Sequence, residues 1–119
     1  MKHIESEQQQ ALFQWVEYNK AKFEELKLLY HIPNGGKRNV REAARLKQEG
    51  VRAGVPDIHL PIAKGMYMGL WIEMKAPGGK LTGNQKAWKR QLETWGHKVI
   101  VCYGWEQAKN EILGYLEVA

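Results

Sequence analysis

Helical spacing and short apolar runs alternate along the chain, which predicts an α/β domain of amphipathic helices and buried strands. Ala11, Leu12, Trp15, Val16 and Tyr18 form a helical stripe, and Ser6 followed by Gln9 has capping-box spacing. A first helix is therefore expected from about Glu7 to Lys22, with Glu7 in its first turn. Leu26 to Ile32 predicts a strand, ended by the turn cluster Pro33-Asn34-Gly35-Gly36. Asn39 with Glu42 repeats the cap pattern and opens a short helix that runs to Glu49 and stops at Gly50. Val55 to Leu60 is a second strand, with Pro56 at its opening residue or on an edge, and Met66 to Lys75 a third. The short connection between them predicts an antiparallel hairpin, which returns the end of the third strand to the start of the second, where Asp57 stands. Ala76-Pro77-Gly78-Gly79 breaks the chain, and Thr82 with Gln85 caps a third helix whose Trp88, Leu92 and Trp95 are expected to face the core before Gly96 stops it. Val99 to Tyr103 is a fourth, apolar strand. A closing helix from Trp105 to Leu116 turns Ala108, Ile112 and Leu116 inward. The expected order is αβαββαβα.

Composition narrows the class. A chain of 119 residues with 44% hydrophobic and 26% charged residues reads as one globular domain over residues 1–119. Its single cysteine, Cys102, lies in an apolar run, so neither an internal disulfide nor a Cys-rich zinc site is expected. A soluble, intracellular protein is the expectation, because the first residues are too polar for a signal peptide and no run approaches the roughly 20 residues of a membrane span.

Charge adds a direction. The net charge is +5, and residues 35–54 carry six Lys or Arg against two Glu, while residues 75–98 carry six against one. These two basic blocks flank the strands that hold Asp57 and Glu73. Such a pattern suits a polyanion crossing an acidic site, and it equally describes two solvated helix faces.

The chemistry sits between the blocks. Asp57, in Gly-Val-Pro-Asp-Ile-His-Leu, and Glu73, in Leu-Trp-Ile-Glu-Met-Lys, both lie in apolar runs. Burying a carboxylate there is costly unless a cation or a hydrogen-bond network meets it. Lys75 follows Glu73 at strand period, so the two side chains leave one face about 7 Å apart along the strand, with Met74 on the other. Two acids and an ammonium make a site for hydrolysing phosphodiesters with Mg²⁺, which takes one or two carboxylates and keeps several waters. The Met74 backbone carbonyl is a third candidate oxygen ligand. Taken singly, Pro-Asp is a turn signal and Glu-x-Lys a surface ion pair. Together, in order and in apolar strands, they point to catalysis. Gln85 has a structural role as the partner of Thr82, and the same position at a helix start lets it reach a phosphate or a metal-bound water.

The remaining candidates are phosphate contacts. Lys37, Arg38, Arg41, Arg45, Lys47 and Arg52 in the first basic block, and Lys80, Lys86, Lys89 and Arg90 in the second, give salt-dependent affinity for DNA without reading sequence. His31, ending a strand beside the Gly-rich turn, is either a phosphate contact or a hydrogen-bonded structural histidine. His59 is expected to pack on its strand. The tryptophans are expected in the core, with Trp71 or Trp105 as possible exposed rings.

The chain resembles the VRR-NUC domain of the PD-(D/E)xK nuclease superfamily. The likeness rests on Gly50-x-x-x-Gly54-x-Pro56-Asp57, Ile72-Glu73-Met74-Lys75, Gly79-Lys80-Leu81-Thr82-x-x-Gln85, Trp88 and Leu92 in the next helix, and Gly96 before the last strand. Glu7 with Gln10 resembles the acidic position of that family's first helix. The resemblance implies a restriction-endonuclease-like fold, with a mixed central β-sheet flanked by α-helices, and dependence on Mg²⁺ or Mn²⁺. It implies metal binding by Glu7, Asp57 and Glu73, catalysis by Lys75 and assistance from Gln85. No organic cofactor is implied. Stand-alone members of this size are similar to viral proteins, which would work in the host cytoplasm, and some resemble homodimeric Holliday-junction resolvases.

The expected function is therefore metal-dependent cleavage of DNA, branched or duplex, by a homodimeric endonuclease. A non-catalytic DNA-binding or assembly module on the same fold is the alternative from another class, and flap- or sequence-specific cleavage the alternative within it.

Overall fold

The computed structural model of the chain describes residues 3–33 and 39–119. Helix α1 (His3–Asn19) is followed by a 3-10 turn (Glu24–Leu28), strand β1 (Tyr30–His31), helix α2 (Val40–Gln48), strands β2 (Ile58–Leu60) and β3 (Leu70–Met74), helix α3 (Gly83–Thr94), strand β4 (Lys98–Cys102) and helix α4 (Trp105–Leu116). The order αβαββαβα holds. The strands make one mixed sheet in the order β1-β2-β3-β4, with β1–β2 and β2–β3 antiparallel and β3–β4 parallel. The parallel pair follows from α3, because joining parallel strands needs a crossover.

Strand alternation builds the core. Ile58 and Leu60 from β2, Leu70, Ile72 and Met74 from β3, and Cys102 from β4 are buried with Leu12 and Val16 of α1 and Ala108, Ile112 and Tyr115 of α4. The helices α1 and α4 pack on each other, while α3 packs on β4. Gln8 ties α1 to the start of α4, its Oε1 accepting from the Trp105 N–H at 2.9 Å. Gly104 precedes α4 without a capping side chain, so Gln8 supplies the acceptor that end lacks.

Four expectations need correction. Helix α1 begins before Ser6, whose Oγ accepts from Gln10 Nε2 instead of capping, so the Ser6–Gln9 spacing lies inside the helix. Of the strand expected over Leu26–Ile32 only Tyr30–His31 forms, because Leu26 to Leu28 belong to a 3-10 turn that buries Leu26 and leaves Leu28 exposed. The third strand starts at Leu70, since Lys64 and Tyr67 close a tight turn before it. Trp95, expected inward, is 75% exposed at the end of α3. No described helix is long and apolar enough to cross a membrane.

Candidate active site

The β2–β3 register pairs Ile58 with Ile72, so one step further Asp57 faces Glu73. Asp57 is pinned on both its backbone and its side chain. Its Oδ2 accepts from the Met74 N–H at 2.9 Å, and its carbonyl accepts from the Ile32 N–H at 2.6 Å. His31 Nδ1 lies 2.9 Å from the same carbonyl, which can only accept, so Nδ1 carries the hydrogen. Thus His31 borders the site but spends one ring nitrogen holding Asp57.

Glu73 is 5% exposed, and its two oxygens differ. Oε2 accepts from Gln85 Nε2 at 3.3 Å and lies 4.0 Å from Lys75 Nζ. Oε1 is buried and, among the described residues, has no donor. Burial first, and then a hydrogen bond shared with Asp57 and the charge of that carboxylate, push the carboxyl up to about 9, and Lys75 opposes this only in part. The fold therefore holds an acid that only added positive charge will ionise at neutral pH.

Gln85 joins the parts. Its Oε1 accepts from Lys75 Nζ at 2.8 Å and from the Thr82 N–H at 2.9 Å, and its backbone N–H donates to Thr82 Oγ1. Two donors at Oε1 set the amide orientation, so Nε2 must face Glu73. One residue completes the capping box of α3 and bridges the acid to the lysine.

These groups line a cleft of about 520 Å³ with Glu5, Ser6 and Gln9 of α1 and with Ala53, Gly54 and Val55 of the segment before Asp57. The acid that α1 brings here is Glu5, whose Oε1 accepts from the Ala76 N–H at 3.3 Å. Glu7, expected to ligate metal, is exposed on another face of α1 with Gln10, Gln14 and Glu17. Extending the buried Leu12–Val16 stripe backwards by helical steps leads to Gln9 and Glu5, a signal that sequence reasoning passed over. Successive residues on a helix are 100° apart, which turns Glu7 away.

The basic candidates are spread over the surface. Arg41, Lys47, Arg52, Lys80, Lys86 and Arg90 are exposed, while Arg45 and Lys89 pair with Glu49 and Glu93. Lys37 and Arg38 lie outside the described residues. Away from the cleft, His59 stacks on Trp71 at 3.7 Å, and burial, helped by His97, lowers it to about 4. It packs on its strand as expected.

Among the described residues no three His, Cys, Asp or Glu side chains gather to hold a metal by themselves. What converges is two facing carboxylates, one of them buried, beside the Met74 backbone. That donor chemistry fits a hard divalent cation that keeps several waters.

Comparison with known proteins gives the family of the domain. The VRR-NUC domain family model matches residues 2–106. A solved structure described as a VRR-NUC domain protein aligns with a TM-score of 0.83 at 29% identity, covering 100% of this chain and 93% of that one. No curated protein matches the chain.

Proposed function

The chain belongs to the VRR-NUC family of nuclease domains, and from that premise we propose that it is a divalent-metal-dependent endodeoxyribonuclease, acting on branched DNA such as four-way junctions as a homodimer. The observation that carries the proposal is Glu73, a buried acid held against Asp57 and bridged by Gln85 to Lys75. Such a group is costly in the fold unless a cation offsets it. A surface meant only to bind phosphates gains nothing from carboxylates turned toward them, which disfavours the non-catalytic alternative.

Asp57, Glu73 and the Met74 carbonyl would hold Mg²⁺ or Mn²⁺, with Glu5 in the place the first-helix acid was expected to fill. When bound, the ion would supply Lewis-acid polarisation of the scissile phosphate and of the attacking water. Lys75, held by Gln85, orients the attacking water or balances charge on the phosphoryl oxygens as the water oxygen bonds to phosphorus and one P–O ester bond breaks. Gln85 keeps the ammonium from collapsing onto Glu73. The exposed arginines and lysines on either side add phosphate contacts. A homodimer would set two such sites at a fixed separation, which suits paired nicks.

Incubation of the protein with Mg²⁺ and end-labelled junction, flap and plain duplex tests this. Preferential, symmetric cutting of the junction is expected. Equal cutting of all three would remove the structure selectivity, and no cutting in Mg²⁺ or Mn²⁺ would remove the activity.

A further inference from the structure

A second cleft of about 410 Å³ opens beside the catalytic one, and the two share Glu5 and Lys75 in their walls. The turn from Ala76 to Gly79 and the side chain of Lys80 complete it. Its charge balance is the reverse of its neighbour's. The catalytic cleft sets Glu5, Asp57 and Glu73 against Lys75 alone, whereas the second sets Lys75 and Lys80 against Glu5, whose Oε1 is engaged by the Ala76 N–H.

The floor of this cleft is held firmly. The Gly79 N–H donates to the Ala76 carbonyl at 2.9 Å, and the Tyr103 hydroxyl donates to the Gly79 carbonyl at 3.0 Å, which ties the turn to the end of β4. Pro77 and Gly78 occupy the central positions of a type II turn, and Gly78 has the positive φ of 80° that such a turn requires. A Cβ on Gly78 would meet nothing within 4 Å, so the space over the turn is open. Lys80 is exposed, and among the described residues no carboxylate pairs with it, unlike Arg45 and Lys89.

We propose that this second cleft seats the phosphate adjacent to the scissile one on the cleaved strand, with Lys80 as its cation. The assignment rests on the nuclease activity proposed above and adds a requirement to it. Because Lys75 borders both clefts, a strand whose reacting phosphate lies at Asp57 and Glu73 carries its neighbouring anion to Lys80. Cleavage then depends on a charged linkage on one side of the cut.

DNA substrates carrying a single neutral methylphosphonate, stepped through the linkages around the cleavage position, test this. Wild-type protein should lose roughly tenfold or more in kcat/KM at one adjacent linkage, the size expected for a charge-assisted contact. Lys80→Ala should begin from a lower kcat/KM on unmodified DNA and be indifferent to that linkage, while Lys80→Arg keeps the wild-type pattern. Undiminished sensitivity in Lys80→Ala, or no sensitive linkage beside a phosphate that is cut, overturns the second cleft and leaves the nuclease activity standing. Failure of wild-type protein to cut unmodified DNA overturns the activity itself, and the subsite with it.

Discussion

Glu73 carries most of the physical tension in this molecule. Its carboxyl titrates at the ordinary 4.5 when unfolded and at about 9 when buried. Between those values the unfolded chain releases a proton that the folded chain keeps. Stability of the metal-free protein is therefore greatest below the lower value and is lost as pH rises through the upper one. Thermal melts across that window should show a falling Tm for wild type and a flatter profile for Glu73→Gln, which keeps the shape without the titration. Mg²⁺ should raise the wild-type Tm more at the alkaline end and leave the variant unmoved. A flat wild-type profile, or equal Mg²⁺ effects on both proteins, would contradict this assignment. At this scale the sequence is legible where strand period or a short hairpin joins the residues, as for Asp57, Glu73 and Lys75. It is less so for Glu5 and Gln9, which reach the cleft only because Gln8 and the Leu12–Val16 stripe set the rotation of α1.

Among the elements, α3 does two jobs at its first turn. Thr82→Ala removes one cap bond and should cost about 1 kcal/mol of stability while leaving Gln85 able to hold Lys75. Gln85→Ala removes the bridge as well, and should slow cleavage on the order of a hundredfold, the usual penalty for misplacing a reacting group. Melting temperatures and single-turnover rates measured for both variants separate the roles, and equal losses of rate would merge them. The segment carrying α2 is seated on the same helix. A Cβ on Gly54 would stand 2.6 Å from the backbone C and O of Asn84, and its φ is 97°, whereas Gly50, at φ 105°, has nothing within 4 Å of such an atom. Gly54→Ala should therefore destabilise by roughly 1–3 kcal/mol more than Gly50→Ala, the range for overpacking, as denaturant unfolding would report. Comparable losses at both sites would deny that contact. The caps at Asn39 and Thr82 made α2 and α3 readable, since their side chains do accept from Glu42 and Gln85. Spacing misled where tertiary packing overrode it. Leu26 to Leu28 take up a 3-10 turn where a strand was expected, and Trp95, at a core-facing period, is the C-cap residue past the end of α3 and stays in solvent.

On the scale of the whole molecule, the sheet has chemically distinct ends. The carboxylates gather where β2 begins and β3 ends, while Met66, Met68 and Trp95 stand exposed beyond the start of β3. The αβαββαβα order and the antiparallel hairpin were visible in the periodicity alone, because alternation and turn residues are local signals. The parallel β3–β4 pairing was not visible there, since it depends on how α3 crosses the sheet. Under the proposed function this one end hydrolyses DNA, with Lys75 beside the two acids. Single-turnover cleavage of an end-labelled four-way junction in Mg²⁺, with wild type and Lys75→Ala at matched saturation, tests it most directly. Wild type should cut, and the variant should still bind the junction but cut at least roughly a hundredfold more slowly, the loss typical of removing a group that stabilises the transition state. Cleavage by Lys75→Ala at the wild-type rate would contradict it.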